Sequence, residues 1–240
     1  MGNRIIKYLA IMVFFTIAML IFWLVVTGRG ETTPPSGIDT FAIRGVDVSA
    51  HNGEIDFGAI TRSGAEFVMI KATEGATHKD RRFIDNLRDA HKANLRVGAY
   101  HFFRFDTPGY MQALNLLNSV RGREIDLPLI IDVEEWTNPS NRPTEAILGE
   151  IKAMATKLES EGYKVIIYTN KDGYERFFKG NLEKYPLWLC SFTPISEDIP
   201  WTFWQYSHRG MIEGVNRMTD LNVFAGSRSD WDSIFSARRQ

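Results

Sequence analysis

Short apolar runs alternate with longer amphipathic stretches along the chain from about Phe41 onward. Apolar runs of four to eight residues bounded by turn signals predict β-strands. The predicted strands are Arg44–Val48, Phe67–Lys71, Arg96–Phe103, Leu127–Glu134, Lys164–Thr169, Pro186–Ser191, Thr202–Tyr206 and, more weakly, Met218–Leu221. Apolar residues at helical spacing predict helices over Arg81–Ala93, Tyr110–Val120 and Thr144–Ser160.

Strands that alternate with helices predict a parallel sheet. Eight strands in about 200 residues favour a closed barrel over an open sheet. The last strands follow one another too closely for full helices between them. We therefore predict an α/β fold, a (β/α) barrel of eight strands with the helices reduced or missing in the last third. The barrel domain is expected over residues 41–240, after a Gly-, Thr- and Pro-rich linker over residues 27–40.

A different pattern occupies the N-terminus, where Tyr8–Val26 is apolar throughout and carries no charge over its 19 residues. As a helix this run would extend roughly 28 Å, close to the thickness of a bilayer core. We therefore predict a cytoplasmic stub and transmembrane anchor over residues 1–26, contacting the lipid bilayer through residues 8–26. Arg4 and Lys7 precede the run and place the N-terminus in the cytoplasm. The expected location is the bacterial inner membrane, with the barrel domain on the extracytoplasmic side. A cleaved signal peptide is the alternative.

Charge and cysteine content narrow the function classes. The chain has a net charge of −1, and the first 30 residues carry +3, which leaves −4 for the remainder. A mildly acidic body argues against nucleic-acid binding. The single cysteine, Cys190, excludes an intramolecular disulfide and a cysteine-rich metal site, and its apolar surroundings predict a buried, inert thiol. No glycine-rich phosphate loop follows the first strand. We expect a monomer without a cofactor.

Carboxylates stand at several predicted strand ends. In "LIIDVEEW" Asp132 and Glu134 are two residues apart and project from the same face of the strand, whereas Glu135 points the opposite way. The carboxyl ends of parallel strands form the active-site face of a (β/α) barrel. The other acidic, aromatic and polar candidates at comparable positions are Asp47, Glu74, Asp220, Tyr100, His101, Tyr168, Trp204 and Tyr206.

Such an acidic cluster suits two kinds of chemistry. One is glycoside hydrolysis, in which one carboxylic acid protonates the leaving oxygen beside a second carboxylate. The other is a Mg²⁺ or Ca²⁺ site of a phosphodiesterase, which would lose its activity in EDTA. A third possibility is a catalytically silent glycan-binding module, which would bind glycan without releasing new reducing ends.

Six segments taken in order resemble the blocks of glycoside hydrolase family 25, the N-acetylmuramidase lysozymes of the Chalaropsis and phage-endolysin type. The segments are "GVDVSAHNGEIDF", "FVMIKATEG", "FIDNLRDAHKANLRVGAYHFFRF", "DLPLIIDVE", "IIYTN" and "FWQYSHRGMIEGVNRMTDLNVFAG". The resemblance covers roughly Arg44–Gly226. It implies a barrel short of helices in its last part, no metal, and cleavage of the β-1,4 bond between N-acetylmuramic acid and N-acetylglucosamine in peptidoglycan glycan strands.

The resemblance also implies residue roles. Glu134 matches the general acid, and Asp132 matches a partner that either orients the substrate N-acetyl group or assists a water molecule. Asp47 and Asp220 match two further acids of the catalytic face. The implied substrate-binding or supporting positions are Tyr100, Tyr168, Trp204, Tyr206 and Glu74. We also expect His101 at the substrate-binding site, as a hydrogen-bonded wall rather than a base. Asn94 stands where the family usually has glycine, and asparagine tolerates the left-handed backbone that such a turn requires.

Overall fold

The computed structural model describes residues 34–236, which form a closed barrel of eight strands. The strands of the barrel and one short extra strand, β3, are β1 (Arg44–Val48), β2 (Ala65–Glu74), β3 (His78–Lys79), β4 (Arg96–Phe102), β5 (Leu129–Asp132), β6 (Val165–Asn170), β7 (Leu187–Cys190), β8 (Phe203–Gly210) and β9 (Thr219–Phe224). Pairing of β1 with β2 closes the barrel, and β3 pairs only with the end of β2. The predicted eight-stranded barrel is confirmed.

Helices cover the first two thirds of the barrel wall. They are α1 (Phe57–Arg62), α2 (Phe83–Lys92), α3 (Gly109–Val120), α4 (Thr144–Ser160) and the short α5 (Lys171–Gly173) with a following π-helical turn (Tyr174–Phe178). A further helix, α6 (Arg228–Ser236), follows β9. Within the described residues, the connections from β7 to β8 and from β8 to β9 contain no helix. The predicted loss of helices in the last third is therefore confirmed.

One strand departs from the predicted parallel arrangement. β9 runs antiparallel to both of its neighbours, β8 and β1, whereas the other pairings around the barrel are parallel. A parallel pair needs a crossover of a dozen or more residues, and residues 211–218 between β8 and β9 are too few for one. The chain therefore turns back directly, and β9 begins at the barrel end where the parallel strands finish.

Alternation along each strand divides the apolar residues into two groups. Val46, Val68 and Ile131 face outward and pack against the helices in the larger core cluster. The inner cluster fills the lower barrel and comprises Ile43, Phe67, Met69, Leu127, Ile130, Ile166, Tyr168, Trp188, Phe203, Phe224 and Trp231. The polar residues of the upper barrel continue the same inward-facing rows, as the period of two requires.

The helix pair α3 and α4 packs unusually closely at Gly109. A Cβ atom at this position would lie 1.8 Å from the main-chain oxygen of Glu150 in α4. The Glu150 side chain also accepts a hydrogen bond from the Gly109 amide at 2.6 Å. The absence of a side chain at Gly109 is therefore what allows the two helices to meet.

The segment before β1 covers part of the wall that lacks helices. Ile38–Thr40 form a 3₁₀ turn, and Ile38 is buried against Trp204, Tyr206 and Val223. Phe41 adds an edge contact to Trp204, with ring centroids 6.3 Å apart. Ile38 is thus packed against the barrel although it precedes the predicted domain start at residue 41 and lies in the stretch that we expected to be a linker.

Two sequence expectations concern single features of the chain. Asn94 has φ +60°, so it adopts the left-handed backbone that we expected of it. The predicted transmembrane anchor over Tyr8–Val26 lies outside the described residues. Across residues 34–236, the helices are too short or too polar to cross a bilayer.

Candidate active site

A cavity of about 1160 Å³ opens at the barrel end where the parallel strands finish. Its lining includes the five predicted acids Asp47, Glu74, Asp132, Glu134 and Asp220. The carboxyl ends of parallel strands bring the first four together, and β9 brings Asp220 by running the opposite way. The expectation that Asp220 closes a strand is therefore wrong, since it is the second residue of an antiparallel one. The cavity nevertheless collects all five acids.

Asp132 is the last residue of β5 and points into the barrel with only 5% of its surface exposed. Its Oδ1 atom is buried and has no hydrogen-bond partner among residues 34–236. Burial, followed by the neighbouring Glu134 charge, raises the pKa of Asp132 well above its ordinary value. Asp132 therefore presents an unsatisfied buried oxygen to the cavity, an arrangement that costs free energy unless a ligand completes it.

Glu134 lies two residues beyond Asp132 on the same side of the chain. The predicted strand reached Glu134, but β5 ends at Asp132. The backbone is still held there, because Val133 N donates to Tyr168 O at 2.8 Å and Asn138 Nδ2 donates to Glu134 O at 2.8 Å. Burial and the nearby Asp47 charge raise the pKa of Glu134 to about 7, against a smaller opposing effect of Lys71. Glu134 can therefore hold and release a proton near neutral pH.

Asp47 and Asp220 face one another across the β1–β9 pair. Burial raises the pKa of Asp47 to about 6, although hydrogen bonds to the carboxylate oppose the rise. Burial and the Asp47 charge raise the pKa of Asp220 to about 9. At neutral pH the pair therefore shares one proton and carries one negative charge, and the hydrogen bonds to Asp47 favour the charge on that residue.

Two amides hold Asp47 in its charged form. Gln205 Nε2 and Asn222 Nδ2 each donate to Asp47 Oδ2 at 2.8 Å. Each amide is itself oriented by a further donor. Tyr168 OH donates to Gln205 Oε1 at 2.9 Å, and Trp188 Nε1 donates to Asn222 Oδ1 at 2.9 Å. The network fixes which end of each amide faces Asp47, so that both present hydrogen to the carboxylate.

Glu74 is paired with cations at the edge of the cavity. Lys71 Nζ donates to Glu74 Oε2 at 2.8 Å, and Arg104 Nη1 lies 3.8 Å from Glu74 Oε1. Burial alone would raise the pKa of Glu74, but Lys71 and Arg104 together bring the pKa below its ordinary value. Glu74 is therefore ionised and neutralises Lys71, a cation that points into the cavity, which agrees with a supporting position.

Trp204 and Tyr206 are not part of the cavity lining, so their predicted placement at the site is wrong. Both belong to the outward-facing row of β8 and pack with Ile38 and Val223. Trp204 Nε1 donates to the main-chain oxygen of Ser191 at 2.6 Å. The residue of β8 that faces inward is Gln205, as the alternation of a strand requires.

His101 is also misplaced by the sequence prediction, because it is fully buried on the outer side of β4. Its Nε2 faces Gln112 Oε1 at 2.9 Å, and its Nδ1 lies 2.7 Å from Thr73 Oγ1. Gln112 Nε2 donates to the carbonyl of Arg104, so Gln112 Oε1 must be the acceptor toward His101. Burial lowers the pKa of His101 to about 4. His101 is thus a neutral link between the barrel and α3 rather than a substrate contact.

The remaining candidates lie where they can meet a ligand. Tyr100 and Tyr168 line the cavity, and burial raises the pKa of both hydroxyls well above the ordinary value, so both stay neutral. Cys190 also lines the cavity and is half-buried, which differs from the fully buried position that we expected. Burial raises the pKa of its thiol to about 12, so Cys190 remains a protonated and unreactive thiol.

The sequence analysis missed several residues of the site, among them the cavity residues Lys71, Trp136 and Gln205 and the buried Asn222, which donates to Asp47. The period-two rule would have identified Lys71, Gln205 and Asn222, because each lies in the inward row of its strand. Trp136 follows a strand end and carried no periodic signal. Among residues 34–236, no three side chains of His, Cys, Asp or Glu are arranged to hold a metal ion.

The sequence matches the family described as Glycosyl hydrolases family 25 over residues 46–215. The chain belongs to this family. The autolytic lysozyme of Clostridium acetobutylicum is 32% identical over 189 residues, which cover 76% of this chain but only 56% of that protein. Lysozyme M1 of Streptomyces globisporus is 32% identical over 207 residues, covering 79% of this chain and 70% of that protein.

The fold of this family 25 member agrees with solved structures. A family 25 glycosyl hydrolase from Bacillus anthracis superposes with a TM-score of 0.76 at 35% identity, covering 84% of this chain and 97% of that one. The predicted membership in a glycosidase family of the lysozyme type is confirmed. The individual residue roles that the resemblance implied remain predictions.

Proposed function

We propose that this family 25 member hydrolyses the β-1,4 bond between N-acetylmuramic acid and N-acetylglucosamine in peptidoglycan, with Glu134 as the general acid. The observation that carries the proposal is the raised pKa of Glu134 in a cavity that also holds a charged carboxylate. Glu134 has a pKa of about 7 beside a carboxylate, Asp47, that two amides keep charged. A carboxylic acid that retains its proton at neutral pH is what protonation of a glycosidic oxygen requires.

In the proposed first step Glu134 donates its proton to the glycosidic oxygen as the bond to the anomeric carbon breaks. The N-acetyl oxygen of the same sugar attacks that carbon from the opposite side and forms a cyclic intermediate. Asp132 accepts a hydrogen bond from the N-acetyl N–H and thereby orients the N-acetyl oxygen toward the anomeric carbon. The unpartnered, buried Oδ1 of Asp132 supports this role, because the incoming N–H would complete it.

In the second step the Glu134 carboxylate takes a proton from water, and the resulting hydroxide attacks the anomeric carbon. The N-acetyl group is restored, and Glu134 returns to its protonated form. Asp47 and Asp220 do not exchange a proton with substrate in this scheme. Burial and the negative charge that Asp47 and Asp220 share keep Glu134 protonated.

The test is digestion of purified peptidoglycan followed by reduction with borohydride and mass spectrometry. The proposal predicts new ends of reduced muramic acid from the wild type and a loss of about 10²–10⁴-fold in rate for Glu134→Gln. Glu135→Gln is the matched control, since Glu135 is the adjacent exposed carboxylate and pairs with Arg176. Reduced glucosamine ends, or lysis by Glu134→Gln at the wild-type rate, would refute the assignment.

We also propose that residues 8–26 anchor the enzyme in the inner membrane, with the barrel on the extracytoplasmic side. The support is the 19-residue uncharged run and the preceding cations Arg4 and Lys7. Tethering would raise the effective concentration of enzyme beside the wall. The full chain should remain with membranes in alkaline carbonate, whereas Phe15→Arg with Leu20→Arg should release it. Recovery of a shortened mature chain from the soluble fraction would instead support a cleaved signal peptide.

A further inference from the structure

Trp136 is exposed to an extent that is unusual for its size. Its relative exposure is 74%, and it lines the cavity directly after Glu134 and Glu135. The other tryptophans within residues 34–236 are buried or half-buried, namely Trp188, Trp201, Trp204 and Trp231. A large apolar surface left in water beside a polar cleft is typical of a binding site.

The backbone beside Trp136 is held in a strained conformation. Thr137 has φ +61°, a left-handed value that a β-branched residue rarely adopts. Such a conformation costs on the order of 1–3 kcal/mol and persists only where the surroundings enforce it. Arg104 Nη1 enforces it by donating to Thr137 O at 2.9 Å and to Thr137 Oγ1 at 3.3 Å.

Asn138 fixes the other side of the same turn. Its Nδ2 donates to Phe103 O at 2.9 Å and to Glu134 O at 2.8 Å, and its Oδ1 accepts from Phe105 N at 2.9 Å. The turn is therefore attached to the backbone that follows β4 and to the backbone of Glu134. The position of the Trp136 main chain is consequently fixed relative to the general acid.

From these observations we infer that Trp136 is a carbohydrate-binding platform, on which the apolar face of a pyranose ring of the glycan strand packs next to the bond that Glu134 protonates. This inference rests on the proposed function. The C–H groups on one face of a sugar ring complement the electron-rich face of an indole. Trp136 lies in the turn that directly follows Glu134 and Glu135, and both Trp136 and Glu134 line the cavity, so the platform would lie next to the general acid.

The cavity is large enough to hold more than one sugar, so that a platform beside the acids can contribute to binding. Phe192, which is 46% exposed, packs against His208 with ring centroids 4.3 Å apart and ring planes tilted by 52°, and it also lines the cavity, from the β7 and β8 side. Trp136 lies at the β5 side, so apolar side chains border the acids on two sides. A volume of about 1160 Å³ exceeds the need of one sugar and suits a chain of several.

A fluorescence experiment tests contact directly. The full chain carrying Glu134→Gln is titrated with the tetrasaccharide of alternating N-acetylglucosamine and N-acetylmuramic acid, and iodide quenching is measured. The chain has six tryptophans, so Glu134→Gln with Trp136→Phe supplies the background. The inference predicts a quenchable component that is assigned to Trp136 and that the tetrasaccharide protects. Saturable binding that leaves Trp136 equally quenchable would overturn it.

Kinetics of the active enzyme test the consequence. Trp136→Ala should raise KM about tenfold, the effect of roughly 1.4 kcal/mol of lost binding, while kcat changes by less than about twofold. Trp136→Phe should keep most of the affinity, because an aromatic face remains. Tyr110→Ala is the matched control, since Tyr110 is 52% exposed on α3 and is not among the cavity residues. A wild-type KM for Trp136→Ala, or an equal rise for Tyr110→Ala, would contradict the inference.

The two proposals fail in distinguishable ways. Peptidoglycan cleavage by the wild type with an unaltered KM for Trp136→Ala would refute the platform and leave the proposed function intact. Absence of cleavage by the wild type, with Trp136 still protected by the tetrasaccharide, would refute the proposed function and leave a sugar platform in place. If Trp136→Ala does not fold, the quenching of Trp136 in the Glu134→Gln chain still decides between these outcomes.

Discussion

Activity should fall as pH rises through about 7, because the proposed general acid must be protonated to act. The perturbation is pH itself, and the magnitude follows from the pKa of Glu134, which burial and the Asp47 charge raise from 4.5 to about 7. With that pKa, about nine tenths of the enzyme is protonated at Glu134 at pH 6 and about one tenth at pH 8. The rate should therefore fall about tenfold between pH 6 and pH 8. An unperturbed glutamate would leave only about 3% protonated at pH 6.

The assay is the initial rate of new reducing ends from soluble glycan strands, at constant ionic strength, with far-UV circular dichroism confirming the fold at each pH. Glu135→Gln should show the same midpoint as the wild type, since its exposed carboxylate plays no part in the step. Glu134→Gln should leave a low residual rate that does not follow the same titration. A descending midpoint near 4.5, or a rate that stays level to pH 8.5, would refute the assignment of Glu134.

Three further predictions follow from the same structure. Gln205→Leu removes a donor from Asp47, which makes Asp47 harder to ionise and reduces its charge beside Glu134; the alkaline midpoint of the rate profile should therefore move to lower pH, whereas a purely structural defect would lower the rate without moving the midpoint. The pKa of Asp220 is about 9 in the folded chain against an ordinary 3.8, so its contribution to stability is lost as pH rises between those values. Asp220→Asn should then have a higher melting temperature than the wild type at pH 8, by about 2–4 °C for each kcal/mol of unfolding free energy, and a smaller difference from the wild type at pH 4. An equal difference at both pH values would contradict this. Gly109→Ala should destabilise the fold by several kcal/mol, on the order of other overpacking or backbone clashes, as measured by urea unfolding.

Much of the fold was predictable because it depends on local periodicity. Thr144–Ser160 was predicted at both ends, because its clear apolar period is bounded by Pro143 and Gly162, and β1 was also predicted at both ends. The reversed direction of β9 was not predicted, because strand sequences carry no sign of direction. Only the short connection before Thr219 contained that information.

The residues of the candidate site were predicted correctly where we used the alternation of side chains between the two faces of a strand, and wrongly where we did not. Asp132 and Glu134 were assigned to one face by their spacing, and both line the cavity. Trp204 and Tyr206 were chosen for their aromatic character, although Gln205 between them must face the opposite way. The raised pKa values could not be read from the chain, because they arise from burial and from partners that are distant in sequence.

The burial of the acids in the cavity depends on the packing of the C-terminal helix α6. Trp231 of α6 is buried with ring centroids 5.3 Å from Phe67 and 5.2 Å from Phe224, beneath the layer that carries the acids. An affinity tag, a fusion partner or a protease that displaces α6 would remove Trp231 from the inner cluster. Water could then reach Asp132 and Asp47 from that end of the barrel. Burial is the largest cause of the raised pKa values of both residues. Such a change would therefore lower these pKa values, although no residue at the cavity mouth is altered. Any modification that displaces α6 is therefore expected to change the pH dependence of this enzyme.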